Sequence, residues 1–236
     1  MVQLTMLQLL TVAYLAITVG SGIATSRRYQ GVAVSEKERI SVYRESIASS
    51  WVAALVLGVC AVLAGFSLSA DLGLSFRLFR FNVPLIYTVI LLALGGVFLV
   101  LTLRQLVSLV IDDKVRMQAW QQLGGGTDRH AVLKGITENL LVPRSKREKK
   151  LFVPLSLTAA ICEEFTMRGV LFVVVQTVLP GFPLYLIPLI AGALFGAAHS
   201  YQGPSGILKT GLAGIGFGCL YLACGSLIPG IILHFI

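Results

Sequence analysis

The stretch "FVPLSLTAAICEEFTMRGVLFVVVQTVL" (152–179) carries Glu163, Glu164 and Arg168 inside an otherwise uncharged run. A helix needs roughly 20 mostly apolar residues to cross a bilayer, and this run has them on both sides of the three charges. The rest of the chain is of the same kind. It has 236 residues, 56% hydrophobic and 13% charged, with a mean hydropathy of +0.85. A soluble domain carries about twice that share of charge. Further apolar runs lie at 3–24, 46–66, 83–108, 183–200 and 206–223, and a seventh begins near 226. They are continuous, without the alternation of barrel strands, so the backbone polar groups must be satisfied within helices. The expected fold is all-α: a polytopic transmembrane helical bundle with about seven spans, the last one incomplete.

Charge sets the expected topology. The first run, "LTMLQLLTVAYLAITVGSGIA" (4–24), has no basic residue before it and Arg27 and Arg28 after it. A cleaved signal peptide has the opposite order and a shorter apolar core, so this run reads as a retained span. Of the 19 Lys and Arg, ten fall within 104–150 and five more within 27–45, whereas the loop 67–82 has only Arg77 and Arg80. Basic loops stay cytoplasmic. The expectation is an N-terminus outside and basic loops 25–45 and 109–150 inside, in a plasma (inner) or ER-type membrane. Anionic headgroups account for the net charge of +8 without nucleic acid as a partner.

Three regions follow: N-terminal helices over 1–110, a basic loop over 111–150, and a helical core over 151–236. In the loop, "VRMQAWQQL" (115–123) suits a short interfacial helix, with Trp120 at headgroup level and "GGGT" breaking it. Cys60, Cys162, Cys219 and Cys224 show no paired spacing and read as small buried hydrophobes. Cys162 as a thiol nucleophile is disfavoured, since on a helix it points about 100° away from Glu163. Gly192 with Gly196, and Gly214 with Gly218, have the spacing that lets membrane helices approach closely.

Glu163 lies about 11 residues past the expected cytoplasmic edge, roughly 17 Å deep at about 1.5 Å per residue. A carboxylate there costs several kcal/mol unless paired. Glu164 and Arg168, at i and i+4, can pair. Glu163, turned about 100° from Glu164, needs a different partner or purpose. His199, at the end of "FGAAH" (195–199) with Phe195 on its face, and His234, in "IPGIILHFI" (228–236), lie at compatible depth. His130, in the basic loop, reads as a solvated surface residue. A desolvated glutamate suits a general base, one histidine can orient water, and another can donate to an oxyanion. The same residues fit an ion or proton pathway, with Pro183, Pro188 and Pro229 as candidate helix breaks. They also fit a fold lock in a non-catalytic immunity or adaptor protein.

"EEFTMR" (163–168) resembles the E-E-x-x-x-R motif of the CPBP intramembrane protease family, which comprises CAAX prenyl endopeptidases and Abi-type, bacteriocin-processing or immunity proteins. "FGAAH" resembles its F-x-x-x-H motif, and "GSLIPGIILH" (225–234) resembles the approach to its H-x-x-x-N/D motif. The resemblance covers about 152–236. It implies a bundle of about eight helices around a chamber open to the cytosol, in an endopeptidase acting on a membrane-tethered peptide or prenylated protein. In that scheme Glu163 resembles the water-activating glutamate, His199 its partner and His234 the oxyanion-side histidine. Glu164, Arg168 and Phe195 fall to site support. The third motif would close at position 238, beyond Ile236, so the expectation is an incomplete last helix and an impaired oxyanion side. H-E-x-x-H is absent. Zinc on Glu163, His199 and His234 would have the usual three protein ligands, whereas glutamate-activated water needs no metal, and the resemblance favours the latter.

Overall fold

The computed structural model describes residues 2–29, 34–75 and 140–236, together with eight isolated helical positions between 89 and 107. The described residues are helical and include no strand. Helix α1 spans Val2–Tyr29 and α2 spans Glu36–Leu63. Helix α3, Lys146–Glu164, runs through a π-helical turn, Phe165–Val170, into α4, Leu171–Val178. After a 3-10 turn at Leu184–Leu186 come α5, Ile187–Ala198, a second 3-10 turn at Ser200–Gln202, α6, Gly203–Cys224, and α7, Ile228–Phe235. Most of the expected span 83–108, the expected interfacial helix 115–123, His130, Arg77 and Arg80 lie outside the described residues.

Among the described residues three helices are long and apolar enough to cross a membrane: Val2–Tyr29, Glu36–Leu63 and Gly206–Cys224. Leu184–Ala198 is apolar but shorter. The expected span 152–179 is a helix whose register is interrupted by the π turn. Pro188 and Pro229 stand in the first turn of α5 and α7, where a missing N–H is harmless. They open helices and do not break them.

α2 and α3 begin with the same device. Ser35 and Ser145 each cap the backbone of a glutamate three residues on, Glu38 and Glu148, whose carboxylate returns to the capping N–H. The two amino ends are bolted together. Arg39 Nε donates to Glu148 Oε1 at 2.6 Å, Glu148 Oε2 accepts from the N–H groups of Arg144 and Ser145, and Ser145 Oγ donates to Glu36 at 2.9 Å. Burial alone would raise the Glu148 pKa. The Ser145 and Arg144 amides and the Arg39 guanidinium outweigh it and hold the carboxyl below its usual range.

The opposite end is closed by 66–75. Ser226 Oγ donates to the Ser75 carbonyl at 2.6 Å, and Leu227 N–H to the Gly73 carbonyl at 2.9 Å. Two apolar clusters flank the π turn. One gathers Leu7, Leu57, Ala61, Leu72, Phe165 and Val174; the other gathers Met167, Phe172, Ile187, Ala191, Phe195 and Leu222. The four cysteines are free and buried. Leu9, Val12, Leu55, Leu189, Leu208 and Leu212 are exposed, an apolar exterior unlike that of a water-soluble bundle.

α5 and α6 approach closely through glycines. A β-carbon on Gly196 would lie 2.6 Å from the Ile207 carbonyl oxygen, and one on Gly192 2.7 Å from that of Gly211. The small-residue spacing thus serves backbone contact, and it fixes the helix that ends at His199.

Candidate active site

Thr166 shapes the turn that carries the motif. Its Oγ1 lies 2.8 Å from the Cys162 carbonyl and 3.3 Å from the Glu163 carbonyl, and it donates back to the preceding turn. Such back-bonding accompanies the widening to π geometry, which occurs mostly as short insertions at functional sites. Gly169 lets the turn press against the 66–75 loop, since a β-carbon there would sit 2.9 Å from the Leu72 carbonyl oxygen.

Glu164 is buried, and its Oε1 faces two nitrogen groups. Its Oε1 lies 3.1 Å from an Arg168 terminal nitrogen and 3.0 Å from His234 Nδ1. Because a carboxylate only accepts, Nδ1 carries the proton and donates. On the far side, a β-carbon at Gly230 would come within 2.9 Å of Glu164 Oε2, so α7 approaches the carboxylate through a glycine. Arg168 is buried too. It donates to the Gly214 carbonyl at 3.0 Å and lies between the rings of Phe195 and Phe217, 4.9 and 5.4 Å from their centroids. Phe217 also stacks on His234, at 5.3 Å and 15° between planes.

Glu163 is different. Its side chain is partly exposed, yet Oε2 is buried and has no hydrogen-bond partner. The nitrogen facing it is His234 Nε2, 3.7 Å away, too long for a hydrogen bond. One imidazole therefore meets both carboxylates, Nδ1 to Glu164 and Nε2 to Glu163. The sequence expectation gave the two glutamates separate neighbourhoods. It also treated the site as one α-helical turn, and the π turn that follows Glu164 changes that register.

His199 caps α5. Its Nδ1 lies 2.8 Å from the Phe195 carbonyl, so the proton is on Nδ1 and Nε2 is the acceptor of the neutral ring. No hydrogen bond or ion pair joins His199 to Glu163 or His234. Phe195 stands between, its ring 4.5 Å from that of His199 and 6.0 Å from that of His234. Tyr201 is beside His199, 5.7 Å between rings, and within electrostatic reach of Glu163.

Ligand atoms about 2.0–2.2 Å from one zinc ion must converge closely. Among the described residues no group of three His, Cys, Asp or Glu side chains does so.

Tyr14, Thr166, Phe217 and Gly230 belong to the surroundings of the site and were not singled out in the sequence, and Gly214 was read only as a close-packing residue. Tyr14 had a legible signal: Thr11, Tyr14 and Thr18 form a polar stripe on one face of an apolar helix. Phe217 and Gly230 had none, because their roles depend on how α6 and α7 meet α3.

Fold and site together define an all-helical, membrane-type protein with a buried acid–imidazole–guanidinium centre. Residues 149–236, from the start of α3 to the last residue, match the family model described as Type II CAAX prenyl endopeptidase Rce1-like. The match coincides with the segment whose three motifs resemble the CPBP family. Helices α1 and α2 lie outside it. No curated protein and no solved structure matches the chain.

Proposed function

We propose that the chain is an intramembrane endopeptidase that cuts a membrane-associated peptide, with a prenylated C-terminal tail as the first substrate class. The observation that carries this reading is the asymmetry of the two glutamates inside the family-matched segment. Glu164 Oε1 is ion-paired with Arg168 and hydrogen-bonded to His234, while Glu163 presents a buried carboxylate oxygen without a hydrogen bond.

In the proposed reaction Glu163 takes a proton from water, and the hydroxide attacks the scissile carbonyl carbon. The carbonyl π pair moves to oxygen, giving a tetrahedral oxyanion. Glu163 returns the proton to the amide nitrogen as the carbonyl re-forms and the carbon–nitrogen bond breaks, releasing an amine and a carboxylic acid that then exchange a proton. His199 Nε2, an acceptor, orients the water. His234 donates from Nε2 to the oxyanion while Nδ1 is held by Glu164. In the doubly protonated form of His234, the charges of Glu163, Glu164, Arg168 and His234 sum to zero, which suits a low-dielectric site. No metal enters these steps.

The test uses the full chain in lipid nanodiscs with two quenched fluorescent substrates, a farnesylated CAAX-type peptide and an unprenylated leader peptide, each with and without chelator. Chelator-resistant cleavage that disappears in Glu163→Gln supports the reading. Equal cleavage by Glu163→Gln, or no cleavage of either peptide, rejects it.

A further inference from the structure

Helix α1 lies outside the family-matched segment, yet it brings a hydroxyl to the turn that carries Glu163. Tyr14 Oη is 3.2 Å from Thr166 Oγ1. A threonine hydroxyl has one proton. That of Thr166 is directed to the Cys162 and Glu163 carbonyls, which only accept. Tyr14 is therefore the donor, and a chain runs from its phenol through Thr166 to the carbonyl just before Glu163. The phenol is also within electrostatic reach of the Glu163 carboxylate.

The height of Tyr14 is fixed from both sides. Toward one end of α1, Gln8 donates to Thr177 Oγ1 at 3.2 Å. Toward the other, Gly22 sits so close to the Ala198 carbonyl that a β-carbon would overlap it, which locks α1 against the end of α5 that carries His199. The Tyr14 ring itself packs on both apolar clusters.

We propose that Tyr14 is a positioning residue for Glu163: its hydroxyl, acting through Thr166, fixes the π turn from which the carboxylate projects. The proposal rests on Glu163 being the general base, and it assigns part of the catalytic apparatus to a helix that the matched domain does not include.

Tyr14→Phe keeps the packed ring and removes only the donor. For the farnesylated peptide it is expected to lower kcat about five- to tenfold, the effect of one lost hydrogen bond, with KM unchanged. Thr166→Val should give a similar loss, the double variant no further loss, and Thr166→Ser near wild-type turnover. A wild-type kcat in Tyr14→Phe, a loss confined to KM, or strictly additive losses in the double variant would overturn the assignment. Glu163→Gln in parallel separates the two failures. If it still cleaves, the general-base reading falls; if it is inactive while Tyr14→Phe is fully active, only the role of Tyr14 falls. If the wild-type chain cuts no peptide, 3-fluorotyrosine placed at position 14 decides. Its fluorine resonance is expected to move on Glu163→Gln and on Thr166→Val, and a resonance indifferent to both overturns the proposal.

Discussion

Two neighbouring carboxylates meet different surroundings, and the proposed division of roles between them follows from that difference. Glu164 has an arginine, an imidazole and a closely packed glycine around it, so its charge is compensated in place. Breaking such a buried pair by removing one partner costs about 3–5 kcal/mol. Glu164→Gln is therefore expected to lower the unfolding temperature in detergent and to lose activity as well, since His234 loses its anchor. Glu163 has no hydrogen bond to lose. Glu163→Gln should leave that temperature nearly unchanged while turnover falls by about 10²–10⁴-fold, the span of a lost general base. Measuring melting and turnover on the same two preparations checks both outcomes. The pairing of Glu164 with Arg168 was legible in the sequence because a four-residue spacing is local. The bond from Glu164 to His234 spans 70 positions and depends on where α7 docks, which no spacing encodes.

At the scale of elements, the close-packed glycines could be read and the π turn could not. Apolar residues surround Phe165–Val170 on all sides, so hydrophobic periodicity cannot show a widened turn. The α5–α6 contact was visible as small residues four apart, and it carries a prediction. Gly196→Val would drive a side chain into the Ile207 carbonyl region, an overpacking worth about 1–3 kcal/mol. Because α5 ends at His199, turnover should fall more than stability, with Glu163 untouched. An unfolding curve beside a turnover assay separates the two. The joined amino ends of α2 and α3 carry another. The Glu148 pKa in the folded chain lies below its ordinary value of 4.5, so its contribution is complete above that value and is lost as the pH falls through the folded one. Melting temperature should thus decline in acid, and Glu148→Gln should flatten that part of the profile while being less stable at neutral pH. A wild-type profile and a Glu148→Gln profile with the same acid slope would contradict this.

For the molecule as a whole, the described helices sort their ends by chemistry. Arg27 and Arg28 close α1, and α2 and α3 begin side by side among Lys37, Arg39, Lys146, Arg147, Lys149 and Lys150. The bond from Arg39 to Glu148 fixes these ends at one level. Gly22 of α1 abuts Ala198, so His199 lies toward this basic end, while the 66–75 loop and the start of α7 close the other. A basic end held in the cytoplasm would put the site in the cytoplasmic half of the bilayer, where a tethered tail can reach it. The arrangement is testable with single cysteines, because the four native thiols are buried. Lys37→Cys and Lys149→Cys, both at exposed positions, should react with a membrane-impermeant maleimide only from the cytoplasmic face of sealed vesicles, and Ser69→Cys only from the opposite face. If Lys37→Cys and Lys149→Cys label from different faces, the side-by-side docking of α2 and α3 is wrong. If both label from outside, the docking stands and the site lies toward the other side of the membrane, which would exclude cytoplasmic prenylated tails as its substrates.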